Sequence, residues 1–393
     1  MKGFSVIAIG YIAVSVIGML HYIISGEVSN FADAFFESAS GFSTTGATIF
    51  TDIESHSKII LFWRSLTQWI GAFGYIIAAA MFLPALEKIT PKISDAAKIL
   101  CIMYITLTAL EMILLIMCGL TPYDAAVHTF STISTGGFGA YETSAAHFAG
   151  SGAMIVFAAF MFIGGTNFPL MYLALSRGIS EFAENTEFKL YIGIIFAASA
   201  SIFAGLIYNS TFEFAYEAAA GSVLQTLSIV TTTGFSAAAF NSWPLFCKMI
   251  LFMLMFVGGC SYSAAGGLKV IRILTAFKLM TRGFFIRLHP NAFVSIKIFD
   301  KTMQGFEVSK VAYYIFFYIS IIVAGVVLIS LDTTDIMTCI SAVVSSVGNI
   351  GPMFCESGSP TDYSIFSNPS KLLLALIMLA GSIELLELST WRK

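Results

Sequence analysis

Four short clusters of serine, threonine and glycine recur along the chain of 393 residues. They read Ser43-Thr-Thr-Gly46-Ala, Ile133-Ser-Thr-Gly136-Gly, Thr231-Thr-Thr-Gly234-Phe and Ser345-Ser-Val-Gly348-Asn. Glycine allows backbone angles that turn a carbonyl group towards a chosen side, and carbonyl oxygens can replace the hydration shell of a cation. No carboxylate lies within the clusters, so neutral oxygen ligands for an alkali cation are the chemistry that they favour.

We predict that the last residues of each cluster form one cation-binding filter. Its members are Thr44, Thr45, Gly46, Ser134, Thr135, Gly136, Thr232, Thr233, Gly234, Ser346, Val347 and Gly348. The alternative is a packing surface, because small residues in apolar helices commonly let two helices approach. One cluster would not separate these interpretations, but four clusters in similar settings favour the filter.

Each cluster closes a segment that is too short or too polar to cross a bilayer. The segments are 31–50, 122–139, 212–236 and 332–352, and each begins with acidic residues. Acidic residues suit the positive first turn of a helix, and the negative carboxyl end of the same helix favours a nearby cation. The pattern predicts four short helices that aim their carboxyl ends at the clusters.

The composition predicts an integral membrane protein. Hydrophobic residues make up 57% of the chain and charged residues 11%, against about 25% charged residues in soluble domains. Apolar stretches of about the 20 residues that a bilayer requires recur eight times. They lie at 3–25, 58–83, 99–119, 152–176, 189–208, 244–262, 309–330 and 370–390.

The predicted fold is therefore all-α, with eight spanning helices and four re-entrant pore helices around one central pore. Its four helix, pore-loop and helix repeats cover 1–88, 89–186, 187–300 and 301–393. Irregular backbone at membrane depth is tolerated only where it is buried or lines a cavity, so the four loops should meet at a shared axis. No HExxH, GxSxG or P-loop motif is present; we predict no enzyme activity and no organic cofactor.

The distribution of charge predicts that both termini are cytoplasmic, since Lys and Arg are retained on that side during insertion. Only Lys58, Lys248 and Lys371 then fall in outer segments, which are otherwise acidic. The basic stretch 268–310 lies inside, where contact with anionic lipid is the simplest role. Nothing in the sequence points to nucleic acid.

The third inner helix is interrupted by a run of small residues, Gly258-Gly-Cys-Ser-Tyr-Ser-Ala-Ala-Gly-Gly267. Glycine and serine at this density break a helix, and the broken backbone either lines a cavity or simply ends the helix. We favour a gate below the filter. Its predicted residues are Gly258, Gly259, Ser261, Ser263, Gly266 and Gly267.

Three polar residues in apolar surroundings have open roles, because charged groups in a bilayer usually face a partner or an aqueous path. For Arg64 we favour an ion pair with Glu37 over direct contact with the ion. Glu111 lies within the third stretch and is not assigned. His128 could sense protons, but we favour a structural role.

The chain resembles the Trk/Ktr/HKT superfamily of potassium transporters, within it the bacterial TrkH/TrkG-type subunit. The likeness runs from residue 1 to 393 and is carried by 31–48, 61–71, 130–138 and 256–272. It implies K+ uptake across the cytoplasmic membrane, an intramembrane gating loop, a homodimer and a nucleotide-binding regulatory subunit of the TrkA kind. Gly46 matches the potassium-selective form, whereas Ser382 stands where the family often has an arginine.

Three transport modes stay open at this stage. The first is a K+-selective, channel-like pore. The second is a K+/H+ or K+/Na+ symporter, and the third is a less selective transporter of Na+ and K+. The sequence does not separate them.

Overall fold

The computed structural model describes residues 2–81, 93–236, 240–289, 295–298, 301–302, 305–332, 335–355 and 359–384. These residues are mostly helical. Two strands of two residues each, β1 (Lys297–Ile298) and β2 (Lys301–Thr302), pair antiparallel. The helices are α1 Lys2–Ile24, α2 Phe31–Phe42, α3 Lys58–Met81, α4 Ile93–Met117, α5 Pro122–Ile133, α6 Ala153–Gly164, α7 Phe168–Arg177, α8 Ser180–Glu184, α9 Thr186–Tyr208, α10 Ala215–Val230, α11 Leu245–Leu254, α12 Val270–Leu288, α13 Gly305–Ile329, α14 Ile336–Gly348 and α15 Asn368–Glu384.

Within the described residues, three helices are long and apolar enough to cross a membrane. They are Asp95–Met117, Thr186–Tyr208 and Val308–Ile329, and the count rises to four if α6 and α7 form one span. These lengths agree with the membrane character that the composition predicts. The full set of eight spans stays a prediction.

The span predicted at 152–176 is not continuous. Helices α6 and α7 meet at an angle of 98°. The Asn167 side chain accepts a hydrogen bond from the Leu170 N–H (2.9 Å) and caps α7, and Pro169 lies in the first turn of α7. Asparagine at the cap and proline in the first turn both start a new helix, which is why the apolar stretch bends there.

The short helices α2, α5, α10 and α14 connect neighbouring parts of the chain. Helix α5 packs on α3, α4 and α6, and α10 packs on α6, α9 and α11. Helix α2 packs on α1, α3 and also on α15 from the far end of the chain. Each of these three helices therefore contacts a helix of another predicted repeat, α15 for α2, α3 for α5 and α6 for α10, as well as its own neighbours.

Polar contacts join the start of α2 to the start of α15, which are far apart in the sequence. The Lys371 ammonium lies 2.7 Å from the Asp33 carboxylate, and the Asn30 side chain donates to Asn368 (2.8 Å). The predicted boundary at 88/89, residue 300 at the third boundary and the predicted cytoplasmic residues 385–393 lie outside the described part of the chain.

Candidate functional site

All four short helices end in the same hydrogen-bonded turn. Just past the end of each helix, an N–H bonds back to the carbonyl of a serine five residues earlier: Thr45 to Ser40, Gly136 to Ser131, Thr233 to Ser228 and Ile350 to Ser345, at 2.8–2.9 Å. The preceding N–H bonds to the next carbonyl of the helix, as in Thr44 to Gly41 (2.9 Å). This pair of bonds is the Schellman motif. We call the residues that follow loop 1 (43–47), loop 2 (134–138), loop 3 (231–235) and loop 4 (349–352).

The Schellman turn requires a left-handed residue, which is usually glycine. Here the position holds Thr44 (φ 56°), Thr135 (φ 54°), Thr232 (φ 55°) and Asn349 (φ 52°). A β-branched residue in this region is strained, at about 1–3 kcal/mol each, and such strain persists where the surrounding structure enforces it, often at functional sites. Two residues later each loop has a glycine with positive φ: Gly46, Gly137, Gly234 and Gly351.

This backbone register differs from the register predicted at two of the four glycines. Gly136 lies at the position of Thr45, and the left-handed glycine of loop 2 is the next residue, Gly137. Gly348 is the last residue of α14, and the left-handed glycine of loop 4 is Gly351. In loop 4 the first glycine after the serines is still helical, because α14 continues through its Ser-Ser-Val-Gly run before it turns.

The four loops form a closed ring of close contacts. A Cβ atom on Gly46 would lie 2.1 Å from the Gly136 carbonyl oxygen, and one on Gly137 would lie 1.9 Å from that of Thr233. A Cβ on Gly234 would lie 2.0 Å from the Ile350 oxygen. The ring closes at Gly351, whose Cβ would lie 2.5 Å from the Thr45 oxygen. Each glycine therefore lets a carbonyl of the next loop approach, and four carbonyls share one ring.

The predicted ion pair between Arg64 and Glu37 is confirmed. Arg64 Nε donates to Glu37 Oε1 at 2.6 Å, and both side chains are almost fully buried. Glu37 also accepts from the Thr48 hydroxyl (3.0 Å) and the Ile49 N–H (3.0 Å), and the guanidinium lies 4.2 Å from the centre of the Phe138 ring. The pair thus braces the chain just after loop 1 and touches loop 2.

Side chains of loop 4 and of α15 join loop 1 to loop 4. Asn349 Nδ2 donates to Thr45 Oγ1 and to the Met378 carbonyl, both at 2.9 Å. The Ser382 hydroxyl donates to the Ser43 carbonyl (3.1 Å). A small cavity lies beside these groups, lined by Ser43, Thr44, Asn349 and Ser382 among others. A neutral serine therefore lies at the position where the resemblance implies an arginine.

The six predicted gate residues all lie in a non-helical segment, 255–269, between α11 and α12. The Gly266 N–H donates to Thr232 Oγ1 in loop 3 (2.7 Å), and a Cβ on Gly266 would lie 2.3 Å from the Gly348 carbonyl oxygen. Ala264 and Gly266 line the same small cavity as loops 1 and 4. The segment thus closes the space beside the ring of loops.

Two charged residues hold the 255–269 segment. Glu187 Oε1, at the start of α9, accepts from the Ser261 N–H (2.6 Å) and hydroxyl (2.8 Å). Lys269 is 3% exposed, and its ammonium donates to the Ala265 carbonyl and lies 3.4 Å from both oxygen atoms of Ser263. A buried charge requires such partners, so these contacts fix the shape of the segment.

Acidic residues begin the short helices as predicted. Asp33, Asp124 and Glu217 lie in the first turns of α2, α5 and α10. Asp335 caps α14 by accepting from the Met337 and Thr338 N–H groups. Hydrogen bonding, chiefly from the Thr338 side chain, lowers the pKa of Asp335 below its ordinary value, so this carboxylate is ionised at neutral pH.

His128 and Glu111 are both fully buried. The His128 ring packs among the rings of Phe148, Phe157 and Phe235 at centroid distances of 5.1–5.8 Å. This aromatic cage agrees with the structural role that we favoured for the histidine. Glu111 lies within α4 and contacts none of the four loops through a hydrogen bond among the described residues.

Sequence reasoning missed four residues that the structure places at the loops or at the segment: Gln68, Glu187, Lys269 and Asn349. Asn349 carried a signal, because asparagine tolerates the left-handed region better than most residues. Gln68 is a polar residue in an apolar span. Glu187 is 74 positions from Ser261 and meets the segment only through the fold, whereas Lys269 ends the segment and bonds to residues four and six positions earlier.

Comparison with known proteins agrees with this architecture. The model of the TrkH family, described as cation transport protein, matches residues 1–189 and 210–393. The "Trk system potassium uptake protein TrkH" of Escherichia coli (strain K12) is 31% identical over 98% of this chain and 84% of its own length. TrkG of the same strain is 27% identical over 98% of this chain and 82% of its own.

The crystal structure of the potassium transporter TrkH from Vibrio parahaemolyticus superimposes with a TM-score of 0.91 at 30% identity, covering 98% of this chain and 83% of that one. Fold, membrane-type helices and family model therefore define one class, the membrane proteins of cation transport. This chain belongs to the TrkH family of cation transport proteins, and the predicted resemblance is confirmed.

Proposed function

We propose that the chain takes up K+ through a channel-like pore whose filter is the ring of loops 1–4. The closed ring of contacts between Gly46, Gly137, Gly234 and Gly351 and the carbonyls of their neighbours carries the proposal. Four loops in one ring surround a common axis, and neutral carbonyl oxygens are the ligands that potassium filters use. The names of the relatives from Escherichia coli, Trk system potassium uptake proteins, point to the same ion.

The proposal also covers the location of the protein, its oligomeric state and its partner. The four repeats surround one pore, the protein lies in the cytoplasmic membrane with both termini inside, and it works as a homodimer with a nucleotide-binding regulatory subunit. The acidic residues that begin α2, α5, α10 and α14 would concentrate cations at the outer mouth by focusing the electrostatic field. The carboxyl ends of the four helices then favour the cation inside.

A single experiment tests the transport mode. The purified protein is reconstituted in liposomes, and the reversal potential is measured while K+, Na+ and H+ gradients are varied separately. A K+-selective pore gives a reversal potential that follows the K+ gradient alone. A shift with H+ or Na+ at fixed K+ would indicate symport, and equal shifts with Na+ and K+ gradients would indicate an unselective pore.

In this proposal the 255–269 segment is the gate. It contacts loop 3 through Gly266 and borders the cavity beside loops 1 and 4. An ion that leaves the ring on the inner side would meet this segment, so the segment must move for flux. The two hydrogen bonds from Ser261 to Glu187 hold it in the observed position.

We expect Glu187→Ala to raise K+ flux in liposomes without any regulatory subunit by about tenfold, because it removes two hydrogen bonds to a charged acceptor. Ser261→Ala removes only the hydroxyl and keeps the N–H donor, so its effect should be smaller. Glu184→Ala, at an exposed position in α8, is the control and should leave flux unchanged. Equal flux in wild type and Glu187→Ala would show that the hydrogen bonds from Ser261 to Glu187 do not hold the gate closed.

A further inference from the structure

The four inner helices share a short pattern at the level of the loops. It reads Gln68-Trp-Ile-Gly71 in α3, Met161-Phe-Ile-Gly164 in α6, Met255-Phe-Val-Gly258 directly after α11 and Met378-Leu-Ala-Gly381 in α15. In three of the four repeats the glycine packs on the end of the short helix of its own repeat, whereas Gly258 packs on Gly266 and Gly267. A Cβ on Gly71 would lie 2.1 Å from the Phe42 oxygen, and one on Gly381 would lie 2.3 Å from the Val347 oxygen.

The first residue of this pattern is buried in all four repeats, at 0–1% exposure. Three of the four are methionine, which has no hydrogen-bond donor in its side chain. Only α3 has an amide there, Gln68. The first repeat thus differs from the others at a position that is otherwise apolar.

The Gln68 amide clamps loop 2 with both of its polar atoms. Nε2 donates to the Gly136 carbonyl oxygen at 2.7 Å, and Oε1 accepts from the Phe138 N–H at 3.1 Å. The two bonds enclose Gly137, the left-handed glycine of the loop. A fully buried amide needs partners on both sides, and this geometry supplies them from one stretch of backbone.

The absence of a side chain at Gly136 leaves the space that the Gln68 amide occupies. A Cβ on Gly136 would lie 2.3 Å from Gln68 Cδ, so a side chain there would displace the amide. The equivalent residues of the other loops, Thr45, Thr233 and Ile350, all have side chains. Glutamine on α3 and glycine at 136 therefore form one arrangement that the other repeats do not have.

The oxygen that Gln68 holds belongs to the ring of loops, because it is the Gly136 carbonyl that approaches Gly46. We infer that Gln68 is a positioning residue for ion selectivity. It fixes the direction of one ring carbonyl and, through Phe138, the backbone on the other side of Gly137. This inference rests on the proposed function, since it assigns a role within the proposed filter.

The test is the K+/Na+ permeability ratio from reversal potentials in liposomes, a quantity that does not depend on how much active protein is present. Gln68→Met installs the residue of the other three helices at nearly equal volume. Gln68→Glu keeps the acceptor for the Phe138 N–H but loses the donor to Gly136. We expect both to lower the ratio by at least about fivefold, because each loses the hydrogen bond to the Gly136 oxygen.

Met161→Leu is the matched control, because it changes a buried residue at the same position of the pattern without removing a donor. It should keep the wild-type ratio. A K+-selective wild type with unchanged ratios in both Gln68 variants would overturn the inference and leave the proposed function intact. A wild type without K+ selectivity would overturn both, and if one variant fails to fold the other decides.

Discussion

Gly351→Ala should lower the K+/Na+ permeability ratio by about tenfold or more, whereas Gly348→Ala should leave it within about twofold of wild type. Gly351 has φ 102°, where an L residue is strained, and its Cβ would lie 2.5 Å from the Thr45 carbonyl oxygen. That oxygen belongs to the ring of loops, so alanine must push loop 1 away from loop 4. The ring would then open on one side.

Gly348 differs because it is helical. Its Cβ would first meet the Ile350 Cδ1 atom at 3.0 Å, the far end of a flexible side chain. Alanine also favours a helix over glycine by about 1 kcal/mol. Reversal potentials of the two variants under paired K+ and Na+ gradients measure the effect. Loss of selectivity in Gly348→Ala together with normal selectivity in Gly351→Ala would show that the filter follows the first register and not the backbone.

Arg64→Leu should reduce the free energy of unfolding by about 3–5 kcal/mol, because it leaves the Glu37 carboxylate buried without its counter-charge. Glu37 is 0% exposed and Arg64 1%. The carboxylate would keep only the bonds from Thr48 and Ile49. Since those bonds join α2 to the chain after loop 1, the variant should also bind K+ more weakly.

The double variant Glu37→Gln with Arg64→Leu is the comparison that separates the effect of charge from that of packing. It copies the third repeat, where Gln225 and Leu251 occupy the equivalent buried positions. Removal of both charges should recover most of the lost stability, because a neutral amide needs no counter-charge. Denaturant unfolding in detergent micelles measures each variant. If the single and double variants were equally unstable, the pair would contribute by packing of the guanidinium on Phe138 and not by charge.

The sequence alone determined the class of protein and pointed to the four segments whose loops the structure brings together. Hydropathy predicts membrane helices because a bilayer leaves few alternatives for apolar stretches of this length, and Ser/Thr-Gly clusters at four places predict loops because glycine and hydroxyl residues disfavour a continuous helix. The Arg64 and Glu37 pair was likewise predictable, since a charge in apolar surroundings requires an opposite charge.

Tertiary structure decided the backbone register of the loops and the long-range hydrogen bonds that hold them. Whether a helix turns at Gly348 or after it depends on which turn lets loop 4 meet loops 1 and 3, and local propensity does not contain that information. The clamp of Gln68 on loop 2 and the bond from Glu187 to Ser261 join residues more than 60 positions apart. Such pairs are selected by packing in three dimensions, because a buried polar group takes whichever partner the fold brings within hydrogen-bond distance.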